Sequence, residues 1–109
     1  MNSSILVVFL SSVFFFGTLD AAKVLFLYGS RSHASGDHEF QAGSHLLTKH
    51  INAQKKVNLQ ASMHQGWPAD ESILDEADAI VIYADGTKVI GSGWAKMDQL
   101  VKEKKIGVL

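Results

Sequence analysis

The chain has 109 residues, ten basic and eleven acidic side chains, a formal net charge of −1 and no cysteine. Charge so close to balance excludes a surface built on bulk basicity, so nucleic acid is not expected as a partner. The absence of cysteine excludes disulfides, a thiol nucleophile and a lipoprotein-type anchor within this sequence, so stability has to come from an apolar core.

The amino terminus reads MNSSILVVFLSSVFFFGTLDAA, with an apolar run from Ile5 to Phe16 and small residues at Ala21 and Ala22. This layout predicts a secretory signal peptide over residues 1–22, cut near Ala21 or Ala22, and therefore export to a periplasmic or extracellular location. A membrane anchor is the rival. As a helix the run rises only about 18 Å against a hydrocarbon core of about 30 Å, and Asp20 and Lys23 prevent it from lengthening. No Lys or Arg precedes the run, which keeps an uncleaved anchor open; after cleavage no stable membrane insertion is expected. About 87 residues would remain, enough to fold alone while burying a modest share of their surface.

Lys23 to Gly29, KVLFLYG, is apolar on both alternating faces and ends in glycine, as a strand does when helices cover both sides of a parallel sheet. Ala79 to Gly86, AIVIYADG, repeats the pattern. Helical material between two such strands predicts βαβ units rather than hairpins. The spacing predicts a packing helix over Phe40–Ile51, with Phe40, Gly43, Leu47 and Ile51 inward, His45, Lys49 and Asn52 outward, and its start marked by Gly36 and Asp37 as cap or first-turn anion. Val57 to Met63 alternates apolar and polar residues, which predicts a strand with one wet face or at an edge. These features together predict a flavodoxin-like three-layer α/β domain with a parallel sheet in the order 2-1-3-4. Trp67-Pro68 and the short acidic segment Asp70–Asp75 follow, the proline stopping any strand and setting up a helical turn. Trp94, Met97, Leu100 and Val101 then predict a second packing helix with Lys96, Asp98, Lys102 and Glu103 outward, and IGVL at residues 106–109 opens a fourth strand.

In open parallel sheets, ligands gather beyond the carboxyl ends of the strands where the strand order reverses. The loop GSRSHASGDHEF, Gly29–Phe40, occupies that place, and Tyr83-Ala84-Asp85-Gly86 leaves the neighbouring strand. His33, His38, Glu39 and Asp85 therefore form a candidate polar cluster for binding a metal, hydrogen-bonding a sugar-like ligand or moving protons. The plainer alternative is a solvated loop with histidines near a helix start and an ordinary Asp-Gly turn. No HExxH metal template is present to choose between them. His45 and His50 read as helix surface, and His64 as a loop residue. Gly91-Ser92-Gly93 lacks the GxGxxG and Walker patterns and reads as the start of a helix, and no G-x-S-x-G elbow supplies a serine nucleophile. Trp67 reads as a packed aromatic beside proline in preference to a sugar-stacking platform.

Taken together, KVLFLYGSRSHASGDHEFQAGSHLLTKHIN and GWPADESILDEADAIVIYADG resemble the amino-terminal half of ThuA-like (trehalose-utilisation) domains, in which a G-x-x-S-H-x-x-G-x-H-E-F loop is followed by GWP and DG elements in the same order. The resemblance spans Lys23 to Leu109. It implies a class I glutamine amidotransferase-like fold and a link to carbohydrate metabolism. It also implies a ligand site at Ser32, His33, Gly36, His38 and Glu39, with Asp85 and Gly86 from the DG element. In the family, the strand that opens like IGVL runs on into a polar motif at the nucleophile-elbow position and further sheet. The stretch 23–109 thus corresponds to the amino-terminal part of such a domain, truncated at the fourth strand. The expected function is binding, or acting on, a sugar-derived small molecule. The alternatives are a noncatalytic ligand-binding or assembly module and an inactive fragment. Neither a catalytic residue, a cofactor, a metal nor an oligomeric state follows from the sequence.

Overall fold

A computed structural model describes residues 20–109, so the expected signal peptide lies outside the described residues apart from its last positions. The elements run in the order β1 (Ala22–Tyr28), α1 (Phe40–Ala53), β2 (Leu59–Gln65), α2 (Ser72–Asp75), β3 (Ala79–Tyr83), α3 (Trp94–Gln99) and β4 (Gly107–Val108). The strands form one sheet in the order β2-β1-β3-β4, and every pairing is parallel. The sequence expectation of a flavodoxin-like parallel α/β sheet therefore holds. Among the described residues no helix is long and apolar enough to cross a membrane.

β1 sits centrally, with Tyr28 opposite Gln65 of β2 on one side and Tyr83 of β3 on the other. Its doubly apolar pattern follows from that position, because successive side chains point to opposite faces and both faces are covered. Leu25 and Leu27 join Ile80 of β3 in a buried cluster with Leu74 of α2, Met97 of α3, and Leu100 and Ile106 beyond it. Phe26 and Tyr28 turn the other way, toward α1, whose Phe40 meets the Tyr83 ring edge-on with centroids 5.1 Å apart. At the lower end, the Asp78 carboxylate accepts the Lys23 backbone N–H at 2.7 Å and fixes where β1 begins.

Several local expectations are corrected. α1 starts at Phe40, and Asp37 does not cap it; the residue before the helix is Glu39, whose carboxylate is engaged elsewhere. The buried stripe of α1 is Phe40, Ser44 and Thr48, at i, i+4 and i+8, while Leu47 is 47% exposed. Small polar side chains let the helix lie close to the sheet, and the Thr48 hydroxyl removes its own cost by donating to the His45 carbonyl at 3.0 Å. Asn52 is exposed as expected, and its side chain also bridges to β2. Its Nδ2 donates to the Ala61 carbonyl at 2.8 Å and its Oδ1 accepts the Ala61 N–H at 2.7 Å, which satisfies backbone groups on the outer edge of the sheet. β2 begins at Leu59, so Val57 lies before the strand.

The last helix covers its expected residues but changes winding part-way. α3 ends at Gln99 and widens into a π-type turn over Leu100–Lys104, closed by Lys105 at φ +59°. Met97 and Leu100 are buried, but Trp94 is 53% exposed and Val101 also faces outward. The left-handed residue turns the chain so that Ile106 drops into the core and β4 can pair with β3.

Candidate functional site

The carboxyl ends of β1 and β3 are held together tightly enough for their loops to leave side by side. The Gly29 N–H donates to the Tyr83 carbonyl at 3.0 Å, one step beyond the last paired residues. A Cβ at position 29 would stand 2.7 Å from the Ala84 Cβ, so only glycine permits this approach. Gly86, at φ +65°, then turns the chain away after Asp85. Its contribution is the turn.

Within that frame Asp85 is the hub. The Ser32 hydroxyl donates to Asp85 Oδ2, His38 Nδ1 lies 3.1 Å from the same oxygen, and His33 Nδ1 lies 3.6 Å from it. His33 Nδ1 is also 3.3 Å from the Ser32 hydroxyl, and the two imidazole rings face one another with centroids 4.4 Å apart. His38 continues toward Phe40, 5.7 Å between ring centroids, so the first residue of α1 supports it from beneath. The Ser32 hydroxyl and then the His38 ring hold the Asp85 carboxyl below its ordinary value, against the opposing effect of desolvation. Asp85 is therefore an anion at neutral pH, and it receives hydrogen bonds there.

Glu39 takes no part in that cluster. Its Oε1 accepts the Gly36 N–H at 2.8 Å and an Arg31 N–H at 3.0 Å, and these bonds, the backbone one foremost, depress its pKa. It braces the loop from within. Arg31 was not singled out by the sequence. Its only signal was a cation eight residues before Glu39 in a loop that must fold back on itself. Arg31 also reaches Ser35 at 3.4 Å.

Two clefts flank the cluster and share Gly29 and Arg31. The larger, about 380 Å³, is lined by Ser30, Arg31, Ser32, Asp85 and Lys88 among others; the smaller, about 130 Å³, touches His38, Glu39 and Gln65. The larger falls within the range of small-molecule sites, roughly 300 to 1,000 Å³. Its walls offer cationic donors, hydroxyls of both senses and one anionic acceptor. The ligating atoms of His33, His38 and Asp85 all lie within 4.8 Å of one another, so this set can also hold a cation.

The residues that the sequence set aside lie elsewhere, and His64, expected in a loop, falls within β2. His64 Nδ1 is 3.1 Å from the Gly66 carbonyl, and His50 Nε2 lies 3.3 Å from the Gln54 side-chain amide. Trp67 packs against the core, with its indole nitrogen donating to Glu71 at 2.8 Å. Its ring fills the space where a side chain at Gly93 would stand, which accounts for glycine there without any phosphate cradle. A comparison of the chain with protein-family models, with curated proteins and with solved structures finds no match.

Proposed function

We propose that this chain is a ThuA-like domain, exported by its amino-terminal segment, that binds a sugar-derived small molecule in the cleft beside Asp85. One observation carries the reading: the S-H and H-E-F parts of the first loop and the DG element of the second, remote in sequence, bring Ser32, His38 and Asp85 into hydrogen-bonding distance at the strand-order switch. A polyol presents alternating donors and acceptors. Arg31 and Lys88 supply donors, Asp85 an acceptor, and Ser30 and Ser32 either, around one cleft.

The side chains of His33, His38 and Asp85 are all more than 40% exposed. Acid–base chemistry gains most where water is excluded, so this openness favours docking of the ligand over a reaction completed by these residues alone. Calorimetric titration with trehalose, glucose and glucuronate tests the reading. Binding in the micromolar to millimolar range, lost in Asp85→Ala and weakened in Arg31→Ala, is expected. A chain that binds none of these sugars at about 10 mM is not a sugar-binding domain of this kind.

A further inference from the structure

We infer that His33, His38 and Asp85 form a divalent transition-metal site of the zinc class, with two imidazole nitrogens and one carboxylate oxygen as ligands. The inference deepens the sugar-binding reading and rests on the same pair of loops, adding His33 and the donor geometry to the contacts of Ser32 and His38 with Asp85.

The first observation is distance. Tetrahedral ligands about 2.0–2.1 Å from a zinc ion stand about 3.3 Å from one another. His38 Nδ1 and His33 Nδ1 lie 3.1 and 3.6 Å from Asp85 Oδ2, straddling that value. All three ligand atoms fit within 4.8 Å, so small rotamer adjustments of exposed side chains bring them onto one ion. The second observation is orientation: both imidazoles present the same nitrogen, Nδ1, to one carboxylate oxygen, which already accepts the Ser32 hydroxyl. A loop that needed only to hold Asp85 has that hydroxyl for the purpose. Two further nitrogens converging on the same oxygen make a three-sided donor set.

Donor chemistry selects the ion. Imidazole nitrogen with a single carboxylate suits zinc and its first-row neighbours, whereas magnesium and calcium favour all-oxygen shells with more carboxylates. Three protein ligands leave at least one position open, the arrangement of sites that take water or substrate oxygen as the remaining ligand. Asp85 also lines the cleft with Ser30, Arg31 and Lys88, so a sugar hydroxyl or carbonyl bound there would lie near the ion. Support for the ligands is present also. Phe40 backs the His38 ring, and Glu39 and Arg31 hold the loop that carries both histidines.

The test uses the 109-residue chain, freed of metal by chelation, and zinc chloride alone as probe. Calorimetry at pH 7.5 is expected to give one zinc per chain. His33→Ala, His38→Ala and Asp85→Asn should each weaken binding by at least about tenfold, since losing even a supporting partner of a ligand costs that much. His45→Ala with His50→Ala should leave it unchanged. Because a loop variant could misfold, the wild-type chain is also followed by imidazole 15N spectra during the titration, where the Nδ1 signals of His33 and His38 should shift. Cobalt(II) should develop the intense visible bands of a four-coordinate site. No binding at about 1 mM zinc, binding unaffected by the three variants, or spectral shifts confined to His45, His50 or His64 would each overturn the metal site. Sugar titrations run with and without zinc separate the two ideas. Sugar binding with no zinc binding removes only the metal, and zinc binding with no sugar binding removes only the sugar.

Discussion

On the face of the sheet that carries α2 and α3, Leu25, Leu27 and Ile80 meet Leu74, Met97, Leu100 and Ile106 in one apolar cluster. On the face that carries α1, the helix sets Phe40, Ser44 and Thr48 against the strands and leaves Leu47 and Tyr83 partly in water. The same central strand serves both. Cohesion is concentrated on the first face, while the second positions the loop that begins at Gly29 and returns at Phe40. Truncation in the two places should therefore differ most. Leu27, with 0% exposure, loses its contacts in Leu27→Ala at a cost of about 2–5 kcal/mol. Leu47→Ala should cost under about 0.5 kcal/mol, since Leu47 is already half exposed. Urea unfolding of both variants measures the contrast, and equal losses would erase the distinction between the faces.

The join between core and site is the next place to press. Gly29→Ala forces a methyl to within 2.7 Å of the Ala84 Cβ, a clash between two backbones with no flexible side chain to yield. A loss of about 1–3 kcal/mol is expected. Because β1 and β3 must separate for relief, the contact of Ser32 and His38 with Asp85 should loosen at the same time. Backbone amide spectra should show the change spreading from residue 29 into both loops. A variant of wild-type stability with unchanged loop signals would mean that the strand ends do not set the site.

The parts of this architecture that were legible in the sequence are those in which burial and periodicity agree. KVLFLYG and AIVIY are apolar on both faces because both faces are covered, so strand type, parallel pairing and the order 2-1-3-4 followed. The inward face of α1 was misjudged because Ser44 and Thr48 look like surface residues, and composition does not reveal that a helix lies close enough to the sheet to bury a hydroxyl. The extent of the last helix was legible, since helical backbone runs to Lys104, but its winding was not: it widens into a π-type turn from Leu100 and leaves Trp94 and Val101 facing water, which a 3.6-residue spacing does not foretell. At the site, the rule that ligands gather where strand order reverses brought His33, His38 and Asp85 to the right end of the sheet. It could not separate Glu39, which turns inward to Arg31 and the Gly36 amide, since that choice depends on how the loop from Gly29 to Glu39 folds on itself.

The buried hydroxyl under α1 offers a third, smaller test. Ser44 has 0% exposure, and among the described residues its Oγ is the one buried side-chain polar atom without a hydrogen-bond partner. An unpaired hydroxyl in such a position costs about 1–3 kcal/mol of desolvation, and alanine is also the better helix former by about 0.5 kcal/mol. Ser44→Ala should therefore stabilise the domain by about 1 kcal/mol, which for a chain of this size raises the melting temperature by about 4–8 °C. Thr48→Ala is the counter-test on the same stripe. Its hydroxyl already bonds the His45 carbonyl, so removal should bring no comparable gain. Destabilisation by Ser44→Ala would mean that the α1 face is packed as closely as the other.

The smallest expected effect is the response to acid, and it distinguishes the two sides by partner rather than by burial. On the α2–α3 side, Asp75 lies 2.7 Å from Lys96 Nζ, and that hydrogen bond is the main reason its pKa sits below the ordinary 3.8. On the loop side, Glu39 is depressed from 4.5 chiefly by the Gly36 backbone N–H, with Arg31 second. In both cases the folded value lies below the unfolded one. Each carboxylate therefore contributes its full stabilisation above the unfolded value and loses it as pH falls through the depressed folded value. Melting temperature should hold level from about pH 7 to pH 5 and decline below about pH 4. Lys96→Met removes the partner of Asp75 and should make the acid decline shallower, with the curves of variant and parent converging at the lowest pH. Arg31→Met should flatten it less, because the Gly36 amide still holds Glu39 in its ionised form. Parallel curves displaced by a constant amount in Lys96→Met would show that Lys96 stabilises through the packing of its stem and not through the Asp75 carboxylate.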